Sequence, residues 1–166
     1  GTIGEHAISV LSKREGISFS SKVKSDSAPL NGLIARVLKA SDKVKFMRDP
    51  TRGGVATTLN EIAADGKFGI AIDENRLPVT EGVKTGCELL GFDPLYLACE
   101  GRVMIVVQRD DEDKILRVMK RDPLGKRSCI VGRVTVHGRG KVYLNTASGG
   151  KRIVSMLSGE QLPRIC

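Results

Sequence analysis

Apolar residues along the chain follow two spacings, one typical of helices and one typical of strands. Apolar positions three or four residues apart predict helices at 4–15, 30–38, 55–64, 80–90 and 110–121. Alternating or unbroken apolar runs predict strands at 44–48, 68–72, 102–108, 129–136, 142–144 and 153–157. Because strands alternate with helices along most of the chain, we expect an α/β (α+β) domain in which helices cover a mixed β-sheet.

Two details of the strand pattern are specific predictions. The run Val103–Val107 is unbroken by any polar residue and predicts the most buried strand of the chain. The strands at 129–136 and 142–144 flank the turn-forming sequence His137-Gly138-Arg139-Gly140, which predicts that they pair with each other as a β-hairpin.

The composition fits one compact domain with a flexible tail. The chain has 166 residues, of which 40% are hydrophobic and 4% aromatic, so its core must consist mainly of aliphatic side chains. No linker divides residues 1–158, and Gly159 is expected to release the tail, 159–166. No apolar run approaches the roughly 18–20 residues of a membrane span, and no signal peptide is recognised, so we expect a cytoplasmic protein. Because the chain lacks an initiator Met, we expect it to be the C-terminal part of a longer protein.

The net charge of +8 raises the question of nucleic-acid binding. Lys and Arg are scattered along the chain with acidic residues between them, and aromatic residues that could stack on bases are few. These features favour a solvated basic surface, which suits a phosphorylated ligand or an acidic partner, and neither nucleic acid nor a membrane is expected as a partner.

The cysteines do not follow a metal-binding pattern. Cys87, Cys99, Cys129 and Cys166 are 12, 30 and 37 residues apart, which matches no CxxC motif. A zinc site that combined them with a histidine has no motif to support it, so we expect no metal. Reduced and mostly buried thiols are the ordinary expectation for a cytosolic protein. Cys87 lies in an amphipathic helix pattern and Cys129 in a strand-like run, so both are predicted to lie in the core.

Cys166 is the last residue of the sequence, an unusual position for a reactive side chain. Terminal residues are seldom buried, so a packing role is not expected. A thiol at the end of a tail can instead be presented to the active site of another protein and then withdrawn. The alternative is that the cysteine ends the sequence by accident, or that the sequence stops just before a further element.

Asp49-Pro50-Thr51-Arg52-Gly53-Gly54 lies between a predicted strand and a predicted helix. The two glycines permit close approach of the backbone, and the first turn of a helix offers free N–H groups. Arg52 adds a guanidinium that can bind phosphate through two hydrogen bonds. The segment is therefore a candidate site for a phosphate or an acyl phosphate; the alternative is a capped turn whose glycines allow positive φ.

Glu100 precedes Gly101 at the start of the apolar strand. A carboxylate beside apolar residues is a candidate general base, and the alternative is an ordinary turn glutamate. His6 is expected either to contact a ligand or to cap the first helix. His137 lies in the predicted hairpin turn and is expected to be exposed.

Four segments together resemble one family. They are Asp49–Thr57, Cys87–Tyr96, Glu100-Gly101 and the terminal Pro163-Arg164-Ile165-Cys166. The chain resembles the HypE family of carbamoyl dehydratases of hydrogenase maturation, within the superfamily of aminoimidazole ribonucleotide synthetase and selenophosphate synthetase. The resemblance covers essentially the whole chain and implies a C-terminal domain only. The family's N-terminal domain, which carries most of the ATP site and the dimer interface, is implied to be absent.

The resemblance implies a reaction on the terminal cysteine. A carbamoyltransferase partner would load Cys166 with a carbamoyl group, and ATP, with Mg, would drive its dehydration to a thiocyanate. The cyanide would then pass to the hydrogenase iron-assembly complex. Glu100 is implied to accept a proton from nitrogen. The full-length protein is implied to be a homodimer.

The resemblance also implies roles for other positions. Asp49, Arg52, Gly53 and Gly54 would lie near the phosphates of ATP. From the chemistry of the side chains, we expect Arg164 to accompany the phosphorylated intermediate and Pro163 to limit the entropy lost on docking, so that both residues position the tail.

Two positions depart from the family pattern. Cys99 stands where an asparagine is expected, and Glu5-His6-Ala7 stands where aspartate, histidine and glycine are expected. Two other functions stay open from the sequence. One is a superfamily enzyme that acts on a small phosphorylated metabolite, and the other is a non-catalytic module that docks on a partner through its tail.

Overall fold

The computed structural model describes residues 1–14, 16 and 23–158. The helices in this part are α1 (Glu5–Arg14), α2 (Asn31–Ala40), α3 (Gly54–Gly66), α4 (Glu81–Leu90) and α5 (Glu112–Lys120). The strands are β1 (Val44–Arg48), β2 (Gly69–Asp73), β3 (Met104–Val107), β4 (Gly132–Thr135), β5 (Val142–Asn145) and β6 (Lys151–Val154). Every helix and strand predicted from the apolar pattern is present, with shifted ends.

The strands form two sheets. Four of them make a mixed sheet in the order β4-β2-β5-β6, in which β2 and β5 are parallel and the other neighbours are antiparallel. β1 and β3 pair with each other as a separate antiparallel sheet. The predicted fold class, a mixed sheet covered by helices, is confirmed, although the apolar pattern did not separate the two sheets.

The predicted hairpin between β4 and β5 is wrong. β2 lies between these strands, so that Ile70 faces Val134 on one side and Val142 on the other. The turn at 137–140 therefore spans two strand spacings, about 10 Å, rather than one. It crosses the start of β2, where the Gly140 N–H donates a hydrogen bond of 2.9 Å to the carbonyl oxygen of Phe68. The hairpin in this region joins β5 to β6 instead.

The prediction that Val103–Val107 is the most buried strand is also wrong. All five residues are only half-buried, whereas Ile72, Val142 and Leu144 in the larger sheet are almost completely buried. β3 pairs only with β1 in the described part of the chain, and its side chains face an open apolar cavity of about 490 Å³. Apolar content alone does not reveal whether a strand has neighbours on both sides.

Two hydrophobic clusters stabilise the fold. In the larger one, α3 packs on one face of the four-stranded sheet through residues such as Val55, Leu59 and Ile70. In the smaller one, α1 packs against α4. Each fully buried aliphatic side chain contributes about 1.5–3 kcal/mol relative to an exposed one. These clusters fix the segments that carry the candidate site.

Two of the cysteine predictions can be compared with the structure. Cys87 is buried in the α1–α4 cluster, as predicted. Cys129 is exposed, so the prediction that it lies in the core is wrong. The strand begins only at Gly132, which leaves Cys129 in the preceding loop, near the carbonyl oxygen of Arg76. Among the described residues, no helix has the length and apolar content needed to cross a membrane.

Candidate functional site

The loop that precedes α3 is in close contact with the segment that precedes β3. Gly53 and Gly54 both have positive φ, at 67° and 60°. A Cβ on Gly54 would lie 2.6 Å from the carbonyl oxygens of both Leu95 and Leu97, so only glycine fits there. The Cys99 N–H also donates a hydrogen bond of 3.1 Å to the carbonyl oxygen of Pro50. The two motifs that the sequence placed far apart are therefore neighbours in the fold.

The start of α3 has features that suit an anion. Its N-cap residue is Gly53, which has no side chain to cap the first-turn N–H groups. Asp49 and Arg52 lie on the same loop, and both are exposed. Neither side chain forms a hydrogen bond or an ion pair with any residue of the described chain. The positive φ angles agree with the alternative that the glycines serve the turn, but the side-chain cap of that alternative is not present at Gly53. The exposed guanidinium of Arg52 is available for a ligand.

Glu100 lies half-buried between this loop and a segment from before α2. Its backbone N–H donates a hydrogen bond of 3.0 Å to Oδ1 of Asp26. A Cβ on Gly101 would collide with the backbone of Asp26 and Ala28, so glycine is required next to Glu100 as well. The segment around Asp26 therefore fixes the backbone from which the Glu100 side chain extends.

Arg102 connects this region to the N-terminal residues of the chain. Its guanidinium donates hydrogen bonds to the carbonyl oxygen of Thr2 at 2.6 Å and to the carbonyl oxygen of Gly101 at 2.8 Å. It also forms an ion pair with Glu5 at 2.9 Å. The Arg102 side chain is only 15% exposed, and these contacts compensate the cost of burying its charge.

Cys99, which replaces the asparagine expected from the resemblance, is completely buried. Its Sγ accepts a hydrogen bond from the Gly4 N–H at 3.2 Å and donates one to the carbonyl oxygen of Leu97 at 3.5 Å. Burial raises the pKa of this thiol to about 12. Cys99 is therefore a protonated packing residue at neutral pH and does not act as a nucleophile.

Neither histidine belongs to a metal cluster formed by the described residues. His6 Nδ1 lies 2.9 Å from the hydroxyl oxygen of Ser25, so this side chain contacts the segment beside Asp26. His137 is exposed, as predicted. In residues 1–14, 16 and 23–158, no group of three or more His, Cys, Asp or Glu side chains is placed to hold a metal ion.

The last described residues are attached to the same region. The Tyr96 hydroxyl donates a hydrogen bond of 2.9 Å to the carbonyl oxygen of Ser155. Burial, with a smaller effect from Asp93, raises the pKa of this phenol, which therefore stays protonated and able to donate. Arg152 forms an ion pair with Asp93 at 2.6 Å. Ser155 is thus anchored on the turn that packs on Gly54, three residues before the last described residue, Ser158.

The structure brings Asp49, Arg52, Gly53, Gly54 and Glu100 into one region. The other predicted site residues, Pro163, Arg164 and Cys166, lie outside the described residues.

Asp26 and Arg102 were not identified as part of the site from the sequence. In the sequence, Asp26 belongs to a Ser- and Lys-rich stretch that predicts a loop, and the pattern around Arg102 predicts only a strand. A signal did exist, because an arginine at the edge of a strongly apolar run needs a partner if it is buried. The identity of that partner depends on the fold.

Comparison with known proteins identifies the family. The family model described as AIR synthase related protein, C-terminal domain, matches residues 1–145. The carbamoyl dehydratase HypE of Cupriavidus necator is 48% identical over the whole chain, which covers 47% of that protein. HypE of Azotobacter vinelandii is 43% identical, with 49% of its length covered. The chain spans about half the length of these relatives.

Solved structures agree with this assignment. A hydrogenase maturation protein HypE superimposes on the whole chain with a TM-score of 0.95 and 42% identity, and 54% of it is covered. HypE in complex with ATP gives a TM-score of 0.93 at 41% identity, again over the whole chain and over 51% of that protein. A chain of a HypE–HypF complex gives 0.89 at 46% identity, over 93% of this chain and 50% of that one. The sequence resemblance to HypE is therefore confirmed, and the chain belongs to the AIR synthase related protein family, where it corresponds to the C-terminal domain.

Proposed function

We propose that this chain is the C-terminal part of an ATP-dependent carbamoyl dehydratase of hydrogenase maturation, and that Cys166 carries the substrate. Relatives with 48% and 43% identity have the name carbamoyl dehydratase, and a similar protein was crystallised with ATP. The observation in this chain that carries the proposal is the anchoring of Ser155 on the turn beside Gly54 and Glu100.

The anchor gives Cys166 sufficient reach. Glu100 follows Tyr96 by four residues, so their Cα atoms are at most about 14 Å apart. Ser155, which is bound to the Tyr96 hydroxyl, precedes Cys166 by eleven residues, and a chain of that length spans at most about 36–40 Å. The terminal sulfur can therefore approach Glu100 and can also extend away from the domain towards a second enzyme. Attachment of the substrate to its own enzyme makes the dehydration effectively intramolecular.

The proposed reaction removes water from a carbamoyl group on sulfur. The thiocarboxamide on Cys166 loses its oxygen and both nitrogen protons, the C–O bond breaks, and a carbon–nitrogen triple bond forms. ATP supplies the phosphoryl group that leaves with this oxygen as phosphate. ADP, hydrogen phosphate and one free proton are the other products, and they account for both nitrogen protons. The product on Cys166 is a thiocyanate, whose cyanide group is a suitable ligand for iron.

The loop before α3 suits the phosphates of ATP. Arg52 is an exposed guanidinium with no described partner, and the first-turn N–H groups of α3 have no side-chain cap. Both features favour negative charge. Asp49 offers carboxylate oxygens, which Mg²⁺ prefers as ligands. Because this set is small, we propose that most of the nucleotide site belongs to the N-terminal half of the full-length protein.

Glu100 is the proposed acceptor of a proton from nitrogen. Its backbone is fixed on both sides, by the Cys99–Pro50 hydrogen bond and by Asp26, so its position relative to the loop at Gly54 is defined. Arg164 would accompany the phosphorylated substrate, and Pro163 would reduce the entropy that the tail loses on docking.

The proposed partners follow from the reaction. A carbamoyltransferase loads Cys166, which agrees with the HypE–HypF complex among the similar structures. A hydrogenase iron-assembly complex accepts the cyanide. We further propose a cytoplasmic protein whose full-length form is a homodimer.

The test is the intact mass of the full-length protein. Incubation with carbamoyltransferase, carbamoyl phosphate and ATP should first add the mass of one carbamoyl group and then remove the mass of one water. Replacement of Cys166 by alanine should prevent both changes. A tail that stays unmodified in the wild type would favour a docking module, and normal turnover of a phosphorylated metabolite by C166A would favour a different superfamily enzyme.

A further inference from the structure

Asp26 makes contacts that cover the whole Glu100–Arg102 segment. Its side chain is completely buried, and Oδ1 accepts a hydrogen bond of 3.0 Å from the Glu100 N–H. Its backbone carbonyl accepts a hydrogen bond of 3.4 Å from the Arg102 guanidinium. The same carbonyl lies so close to Gly101 that no side chain fits there. One residue therefore touches each of the three positions.

Asp26 binds the peptide of Glu100 directly, between two neighbouring residues that are held by other contacts. The preceding residue, Cys99, is held through its N–H by Pro50, and the following Arg102 is held by Thr2 and Glu5. The backbone N–H of Glu100 itself is held by Asp26. If Glu100 accepts a proton from nitrogen, this hydrogen bond is a contact that sets the position of its backbone for that step.

The second carboxylate oxygen of Asp26 has no hydrogen bond in the described chain that offsets the cost of its burial. Oδ2 is buried and accepts no hydrogen bond from the described residues. Its nearest cationic atom is Nε of Arg102, at 3.7 Å, and this nitrogen already donates to Thr2. A buried carboxylate with one unpaired oxygen is costly, so an ion pair alone is a weak reason for its presence.

We infer that Asp26 is a positioning residue for Glu100, an inference that rests on the proposed role of Glu100 as proton acceptor. The carboxylate fixes the Glu100 peptide, and the Asp26 backbone holds Gly101 and Arg102 in the same orientation. Because small displacements of a reacting group cost large factors in rate, loss of this contact should slow dehydration by about 10- to 100-fold. Binding of ATP and loading of Cys166 do not require it.

The experiment compares three variants of the full-length protein. D26A removes the acceptor, whereas D26N keeps an oxygen at Oδ1. D122A is a matched control, because Asp122 is also buried, accepts a backbone N–H at 2.8 Å and pairs with an arginine, Arg36. None of the described contacts of Asp122 involves Glu100. Each protein is loaded at Cys166, ATP is added, and the loss of water is followed by intact mass; ATP affinity and Tm are measured in parallel.

We expect D26A to lower the dehydration rate by about 10- to 100-fold while ATP affinity and carbamoylation change by less than about twofold. D26N should restore the rate to within about threefold of wild type. D122A should lower Tm without changing the rate.

A D26A rate within about twofold of wild type would overturn the inference and leave the proposed function intact. It is also overturned if the rates of D26A, D26N and D122A all follow the loss of folded protein. If D26A does not fold, the dehydration rates of folded D26N and D122A decide. An inactive, folded D26N contradicts a role through Oδ1. Wild-type protein that is carbamoylated but loses no water would overturn the proposed function itself.

Discussion

Replacement of Gly54 by alanine tests whether the loop before α3 really packs on the segment before β3. Two costs add at this position. A residue other than glycine at a φ of 60° costs about 1–2 kcal/mol. The new Cβ would also lie 2.6 Å from the carbonyl oxygens of Leu95 and Leu97, and overpacking of this kind costs about 1–3 kcal/mol. G54A should therefore lower the free energy of unfolding by about 2–5 kcal/mol.

Gly91 provides a matched control for the conformational part of this cost. It has a φ of 72° at the end of α4, and a Cβ there would meet no atom within 4 Å. G91A should lower the free energy of unfolding by about 1–2 kcal/mol only. The difference between the two variants therefore measures the contact between the two backbone segments.

Urea unfolding of the 166-residue chain, followed by circular dichroism, gives the loss of unfolding free energy for G54A and for G91A. The comparison holds if the slope of that free energy with urea concentration is the same in both variants and in the parent. For a domain of this size, each kcal/mol corresponds to about 2–4 °C in Tm, so G54A should melt about 4–20 °C below the parent. If G54A costs no more than G91A, the loop does not approach Leu95 and Leu97 as described, and the site loses its geometric basis.

Three groups of side chains and the isolated chain give the remaining predictions. Iodoacetamide at pH 8 should modify the exposed Cys129 and leave Cys99 unmodified in native protein, because burial raises the Cys99 pKa to about 12; mass spectrometry of peptides checks this. R102M should lower the free energy of unfolding by about 3–5 kcal/mol in urea titrations, because it leaves buried partners uncompensated. R52A should change that free energy by less than about 0.5 kcal/mol and yet weaken ATP binding by the full-length protein, as measured by calorimetry. The 166-residue chain alone should release no phosphate from ATP above background, since most of the proposed nucleotide site lies elsewhere.

The sequence predicted local elements well because their signals are local. Each predicted helix is present, and Gly91 ends α4 in the left-handed conformation that is common at a helix C-terminus. The order of strands in the sheets was not predictable in the same way. A turn at 137–140 indicates a change of direction, but whether one or two strand spacings are crossed depends on β2, which lies more than sixty residues earlier in the chain.

The candidate site shows the same limit more clearly. The sequence identified Arg52, Glu100 and the glycines as separate motifs, and the fold brings them together through backbone contacts between distant segments. Asp26 was missed because a lone aspartate in a Ser- and Lys-rich stretch carries no local pattern. Its significance comes from a hydrogen bond to a residue 74 positions away.

The structure also changes which residues count as evidence for function. Gly54 and Gly101 are both required by close backbone contacts, so their presence would be expected in this fold even without a ligand. Arg52 and Asp49 are different, because they are exposed and bind nothing in the described chain, so the fold gives no reason for a charge at either position. Asp26 lies between these cases, since one of its oxygens serves the Glu100 backbone and the other is left without a donor. The proposed phosphate binding therefore depends on the charged residues of the loop, and the glycines define only where those charges lie.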